Sequence, residues 1–324
     1  MAEARNAVRG FNPVQIEEII DRALAEDLGG GDVTTEALIS GDQQGVGSIV
    51  VKGEGILAGI EVAKQVFHKV DPGLKVDILF EDGAKVKPGS IVAKVEGEVT
   101  NILKAERVAL NFLQRLSGIA SETNRYVEAT KGLPVHILDT RKTTPGLRLL
   151  EKYAVRVGGG ENHRMNLGDG ILIKDNHLEA LRSRGLSLKE IVAKARQNAP
   201  SPLQATPLPS LRATPLPSLR GAKRRSNLEA RQTQIEVEVK TLQEALEAAE
   251  AGADIIMLDN MSLEDMREAV KSIHGRALIE VSGGVTLDKV RAIAETGVDF
   301  VSVGALTHSV KVLDISLELE ISDR

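Results

Sequence analysis

The stretches 234-QIEVEV-239, 253-ADIIMLD-259, 276-RALIEVSGG-284 and 298-VDFVSVGAL-306 decide the fold. Each is a short, nearly continuous run of Val, Ile and Leu, and between them lie patterns such as 241-TLQEALEAAEAG-252 and 286-TLDKVRAIAETG-297 with apolar residues at helical spacing. Strands apolar on both faces, alternating with amphipathic helices, are what a parallel sheet covered by helices requires. Toward the N-terminus, 134-PVHILDT-140 and 169-DGILIKD-175 have the same character, so six such strands are predicted. The predicted architecture is a closed or nearly closed α/β barrel over residues 116–309, with a doubly wound sheet as the alternative. A barrel of this kind carries its chemistry at the C-terminal ends of its strands.

Upstream of Leu133 the pattern differs. The segment 13-PVQIEEIIDRALAEDL-28 reads as a helix with Pro13 in the first turn, stopped by Gly29 to Gly31. Strand-like runs 46-VGSIVVK-52, 74-LKVDILF-80 and 90-SIVAKVEG-97 surround a helical 59-GIEVAKQVFHKV-70, which makes residues 1–115 an α+β module. Its 81–99 stretch looks like the hairpin of a carrier domain but lacks a suitably flanked lysine for a swinging arm. A long helix over 101–130, broken at Gly118, is predicted to link the modules. The tail 310–324 is expected to return to the first one.

The composition narrows the function. With no cysteine among 324 residues, disulfides, thiolate metal sites and cysteine nucleophiles are excluded, and a reducing, cytoplasmic setting is expected. A net charge of −5 and seven aromatics argue against a dedicated nucleic-acid binder. Apolar runs are too short to span a bilayer, and a membrane role is not expected. Residues 201–233 stand apart: they carry a tandem ATPLPSLR at 205–212 and 213–220, followed by the basic GAKRRSN. Six of the eleven prolines lie between Pro200 and Pro217, which rules out a regular element there and suggests an inserted surface loop. A proline-rich docking ligand or a basic arm is the alternative reading. This segment holds six basic residues and one acidic, so the remainder of the chain is more acidic than the total implies.

Strand ends concentrate the unusual residues. Arg141 and Lys142 follow the first run, His163, Arg164 and Lys174 flank the second, and Glu236 and Glu238 lie in the third. Asp259 ends the fourth, Ser282-Gly283-Gly284 the fifth and Gly304-Ala305 the sixth. Five candidate cations at successive strand ends point to an anion site. The last two glycine turns suit a phosphate gripped by backbone N–H groups, although they also read as plain tight turns. Glu238 with Asp259 offers oxygen ligands suited to Mg²⁺, or simply counter-charges for the lysines. Lys174 also permits a Schiff-base reading.

The segments EDLGGGDVTT, ERVALNFLQRLSGIA, DTRKTTPGLR, GGGENHRMNLGDGILIKDNH, IEVEV, IIMLDN, EVSGG and VGALTHS together closely resemble the quinolinate phosphoribosyltransferases, or carboxylating nicotinate-nucleotide pyrophosphorylases. The resemblance runs from about Pro13 to Leu319, residues 201–233 excepted. It implies an N-terminal α/β sandwich and an incomplete barrel. It also implies phosphoribosyl transfer from phosphoribosyl pyrophosphate to quinolinate with loss of CO₂, as a step of NAD synthesis, with Mg²⁺. A homodimer whose active site is shared between subunits follows as well. By motif, Arg141, His163, Arg164 and Lys174 would hold quinolinate together with Arg107 from the other chain. Lys142, Glu238 and Asp259 would serve the pyrophosphoryl sugar and its metal as catalytic residues, and Ser282, Gly283, Gly284, Gly304 and Ala305 the 5′-phosphate. The sequence departs from the family at Lys240, where an acid is more usual, and in the 201–233 insert. These departures keep open a paralogous pyrophosphorylase of another base, or an inactive relict.

Overall fold

A computed structural model describes residues 13–39, 41–199 and 233–322. In chain order the elements are α1 (Pro13–Leu28), α2 (Val33–Leu38), β1 (Gln44–Val51), β2 (Gly55–Ile56), α3 (Ile60–Val70), β3 (Lys75–Ile78), β4 (Lys85–Val86), β5 (Ile91–Glu98) and α4 (Val99–Ala129). They continue with β6 (His136–Leu138), α5 (Arg148–Val157), β7 (Ile171–Ile173), α6 (Asp175–Arg182), α7 (Leu188–Asn198), β8 (Ile235–Val239), α8 (Leu242–Ala251) and β9 (Ile255–Asp259). The last are α9 (Leu263–Ile273), β10 (Leu278–Ser282), α10 (Val290–Ala294), β11 (Phe300–Ser302), α11 (Ala305–His308) and β12 (Ile315–Ile321).

The chain divides into two compact units, and each is discontinuous. The first comprises residues 1–124, 143–159 and 306–324, the second residues 125–142 and 160–305. The boundaries predicted from sequence are 115/116 and 309/310; the first falls inside α4, which runs unbroken for 31 residues and contains the change of unit at 124/125, with Leu113, Leu116, Ile119 and Ala120 buried on one face.

In the first unit an antiparallel sheet has the order β12-β1-β5-β3. The strands β1 and β5 are central; Ile49, Val51, Val92 and Val95 are buried, as are Ile60, Val66 and Phe67 of α3. The C-terminal segment forms the edge strand β12, with Ile315 opposite Val51 and Ile321 opposite Gly45. Asp82 fixes the start of α3 by accepting from the N–H groups of Gly59 and Ile60 at 2.9 and 3.0 Å, and Tyr153 of α5 donates to the same carboxylate. The break expected at Gly118 does not occur. A Cβ at that position would stand 2.4 Å from the carbonyl oxygen of Lys311 and 3.0 Å from Val312 Cα, so this glycine serves the close approach of two backbones.

The second unit contains the six predicted strands as one parallel sheet, order β6-β11-β10-β9-β8-β7. From β7 to β11 each strand neighbours the next in sequence, and β6 lies beyond β11. That continuous order is a barrel's; a doubly wound sheet reverses direction at a switch point. The ends β6 and β7 do not pair with each other, which leaves the barrel incomplete. On its outer edge β6 gains a single parallel bridge from Leu138 to Glu161. Helices α7, α8 and α9 begin with side-chain caps from Ser187, Thr241 and Ser262, and α8 ends at Gly252 in the left-handed region. The insert predicted at 201–233 lies outside the described residues apart from Thr233, which is buried. It enters the chain between the end of α7 and the start of β8.

Candidate active site

The second unit brings its charged strand ends together through a buried frame. Asp139, the first residue past β6, is fully buried and accepts from the His163 N–H at 2.9 Å and from Asn162 Nδ2 at 2.6 Å. It thereby ties the loop before β7 to the end of β6. Asp169 closes the same loop by accepting from the N–H groups of Met165 and Asn166 at 2.7 and 3.1 Å. On this frame sits Arg164, itself buried. Burial holds its guanidinium below the usual arginine range, and the positive charge of Arg141 lowers it further, against the opposing pull of Glu236, Asp169 and Glu238. Arg141 and Arg164 thus lie within electrostatic reach of each other, with Glu236, Asp169 and Glu238 as counter-charges.

His163 is buried among acids. Its Nδ1 accepts from the Arg164 N–H at 2.8 Å, and Nε2 faces Glu236 Oε2 at 3.2 Å and Glu280 Oε1 at 3.5 Å. Behind it Ser302 donates to Glu280. Glu236, Glu280 and Ser302 come from β8, β10 and β11, and all three are buried.

Lys174 and Lys240 are both paired. Lys174 Nζ donates to Glu238 Oε2 at 2.8 Å and Lys240 Nζ to Asp175 Oδ2 at 2.9 Å. Lys240 lies one residue past β8, and the charges of Asp175, Asp259 and Glu238 all raise its ammonium pKa. The counter-charge reading of these acids is therefore realised at Glu238. The donor set still fits a hard cation: Glu238 and Asp259 are carboxylates near the ends of neighbouring strands, each incompletely buried, with only oxygen to offer. Among the described residues, the one cluster of three groups that could surround a metal is His163, Glu236 and Glu280, all buried.

At the end of β10 the turn is built on glycine. Gly283 and Gly284 have φ of +86° and +58°, and a Cβ on Gly283 would stand 2.4 Å from the Asn260 side-chain amide. Asn260 itself has φ +55°, donates its N–H to Ser282 O at 3.0 Å and holds Asp259 Oδ1 through Nδ2 at 3.0 Å. The SGG turn thus packs on the residue that orients Asp259. Gly304 and Ala305 follow β11 after Val303, whose N–H donates to Leu138 O at 2.9 Å. Lys142 follows Arg141 past β6, its N–H donating to Thr140 Oγ1 at 3.0 Å. Arg107 belongs to the first unit, exposed on α4.

The family described as quinolinate phosphoribosyl transferase, C-terminal domain, matches residues 119–206 and 216–318, and its N-terminal counterpart matches residues 32–117. The chain belongs to the quinolinate phosphoribosyltransferase family. The C-terminal match skips 207–215, inside the tandem repeat. A probable carboxylating nicotinate-nucleotide pyrophosphorylase of Bacillus subtilis is 39% identical, over 97% of this chain and 96% of its own. A mitochondrial quinolinate phosphoribosyltransferase of Nicotiana glauca is 41% identical, over 94% and 82%. Among solved structures, NadC from Streptococcus pyogenes superposes with a TM-score of 0.82 at 41% identity, covering 97% of this chain and 99% of that one. Four residues of the frame, Asp139, Asn260, Glu280 and Ser302, were not singled out from sequence. A carboxylate or hydroxyl inside or just past a strand carries no mark of which neighbouring strand it will meet.

Proposed function

We propose that the C-terminal mouth of this barrel performs the family's reaction, transfer of phosphoribosyl from phosphoribosyl pyrophosphate to quinolinate with loss of CO₂ to give nicotinate mononucleotide and pyrophosphate. The observation that carries the reading is the Arg141–Arg164 pair, two cations crowded at a buried edge in a chain of this family. Quinolinate is a dianion of adjacent carboxylates, and planar guanidinium forks suit it. Arg141, Arg164 and Lys174 bind it in this reading, and Lys174 exchanges its hold on Glu238 for a substrate carboxylate. His163 supports Arg164 from behind. The partner subunit's Arg107 completes the pocket in a homodimer.

The chemistry follows from charge. The pyridine nitrogen attacks C1 of the ribose, the N–C1 bond forms, and the C1–O bond to pyrophosphate breaks with its electron pair leaving on oxygen. Lys142 would meet that developing negative charge. Glu238 and Asp259 would hold Mg²⁺, which when bound neutralises pyrophosphate as a leaving group. Ser282, Gly283, Gly284, Gly304 and Ala305 would receive the 5′-phosphate, the glycines letting backbone N–H groups approach it. Holding the weakly nucleophilic ring nitrogen in line is the main contribution of the arginines. Once alkylated the ring is cationic, the adjacent carboxylate departs as CO₂, and the electron pair left on carbon takes a proton from solvent. The absence of cysteine fits a reducing compartment, and no helix among the described residues is long and apolar enough to cross a membrane.

Removing a charged partner of a bound carboxylate forfeits roughly 1.5–3 kcal/mol, or about 10–100-fold in affinity. Arg141→Ala is therefore expected to raise the quinolinate KM by that range and to shift the phosphoribosyl pyrophosphate KM by less than about threefold. Equal losses for the two substrates in steady-state kinetics would remove Arg141 from the role given to it.

A further inference from the structure

One side chain of α4 holds two stretches of the first unit that lie far apart in sequence. Arg115 Nη2 donates to Thr144 Oγ1 at 3.1 Å and to the carbonyl oxygen of Thr307 at 2.7 Å. The same nitrogen and Nε both donate to Glu151 Oε1, at 2.7 and 3.1 Å. Glu151 is fully buried on α5, and its other oxygen accepts from the Thr144 N–H at 3.1 Å. Thr144 is therefore held by side chain and backbone together. Neighbouring residues extend both arms: Arg148 Nε donates to Thr143 Oγ1 at 2.9 Å, and Gln114 Nε2 donates to Ile315 O at 2.6 Å. A planar guanidinium can serve acceptors spread around its edge, which the point charge of an ammonium cannot.

What each stretch follows along the chain gives the arrangement its meaning. Thr143 and Thr144 come next after Arg141 and Lys142, and Thr307 stands two residues past Ala305. The strands that lead into these stretches, β6 and β11, pair in parallel, with Ser302 opposite Leu138. Past that register the Val303 N–H still reaches Leu138 O, and further along the two stretches share Arg115 as a partner. Phosphoribosyl pyrophosphate carries a charged group at each end. In the reading above Lys142 serves its pyrophosphate, and Gly304 and Ala305 its 5′-phosphate. We propose that Arg115 is a positioning residue for this substrate: by tying Thr144 and Thr307 to one guanidinium, it sets the spacing between the segments that grip the two ends. A ligand held at both ends depends on that spacing, because binding energy gained at one end is lost if the other is misplaced.

The inference rests on the roles proposed above for Lys142, Gly304 and Ala305. Arg115→Lys keeps a positive charge beside Glu151 but cannot span all three partners. Its phosphoribosyl pyrophosphate KM should rise about tenfold, and its quinolinate KM by less than about threefold, since Arg164 and Lys174 lie on other segments. The deciding comparison uses ligands that reach one end alone. Inhibition constants for ribose 5-phosphate and for pyrophosphate with Mg²⁺ should change by less than about twofold, because spacing is immaterial to a single grip. If these two weaken as much as the full substrate, the variant has loosened the site generally and the role is overturned. An unchanged phosphoribosyl pyrophosphate KM, or equal losses for both substrates, overturns it as well. Should Arg115→Lys fail to fold, Thr144→Val, which deletes one acceptor and keeps the side-chain shape, decides by the same comparison. A wild-type chain that binds no phosphoribosyl pyrophosphate in a calorimetric titration defeats the substrate reading and this role with it. Wild-type turnover with an Arg115→Lys chain of the same KM defeats this role alone.

Discussion

His136 shows how one residue's surroundings become a pH dependence. Its Nδ1 lies 2.6 Å from Glu161 Oε1, and this hydrogen bond raises the imidazole pKa more than partial burial lowers it. A raised value in the folded state means stability that is fully present below the unfolded value, about 6.5, and lost as pH rises through the folded one. Chemical denaturation of wild type and His136→Gln should show the largest stability gap near pH 6 and a smaller one near pH 9. A gap that widens with pH would contradict the pairing. At this scale the sequence announced residues by position: Arg141, Lys142 and Lys174 follow predicted strands, so their place at strand ends could be foreseen, whereas Arg164 precedes β7 and is held by Asp139 and Asp169 through its loop. The surroundings of His163 could not be foreseen, because the acids that face it lie 73 and 117 positions away along the chain. The part of Asn260 was equally hidden, since its positive φ is a property of the turn and not of the side chain.

Among elements, α4 carries the clearest lesson. A glycine inside a helical pattern reads as a break, since it costs about 1 kcal/mol relative to alanine. Here the helix passes straight through Gly118, and the glycine is required by residues 311 and 312 instead. Gly118→Ala would gain that propensity and lose more, because backbone atoms at 2.4 and 3.0 Å cannot yield as a side chain would. With overpacking at about 1–3 kcal/mol, and more where backbone must move, we expect a net fall in Tm of about 2–6 °C. A higher Tm for Gly118→Ala in a calorimetric scan would show that the approach is looser than described. The six barrel strands were legible because burial on both faces demands long apolar runs, and their continuous order followed from short α/β connections. The edge strand β12 was less so: its pattern, ISLELEI, specifies a half-exposed strand but not the partner, β1, some 270 residues earlier.

For the whole molecule, the discontinuous units mean that residues 143–159, which follow Arg141 and Lys142 directly, belong with the N-terminal sheet and not with the barrel. No local pattern marks that exchange, so the sequence assigns residues 143–159 to the barrel. The proposed sharing of the active site gives its own test. Chains carrying Arg107→Ala and chains carrying Arg141→Ala would each be impaired alone, but half the dimers formed on random mixing would hold one intact site. Activity should then recover to about a quarter of wild type, whereas no recovery on verified subunit exchange would place Arg107 in the site of its own chain or outside it. The account stands most directly on one assay: the purified 324-residue chain with Mg²⁺, phosphoribosyl pyrophosphate and quinolinate, following CO₂ and pyrophosphate together. The predicted result is quinolinate-dependent release of both in equal amounts with nicotinate mononucleotide as product. A folded protein that releases neither, or that consumes nicotinate without CO₂, would contradict it.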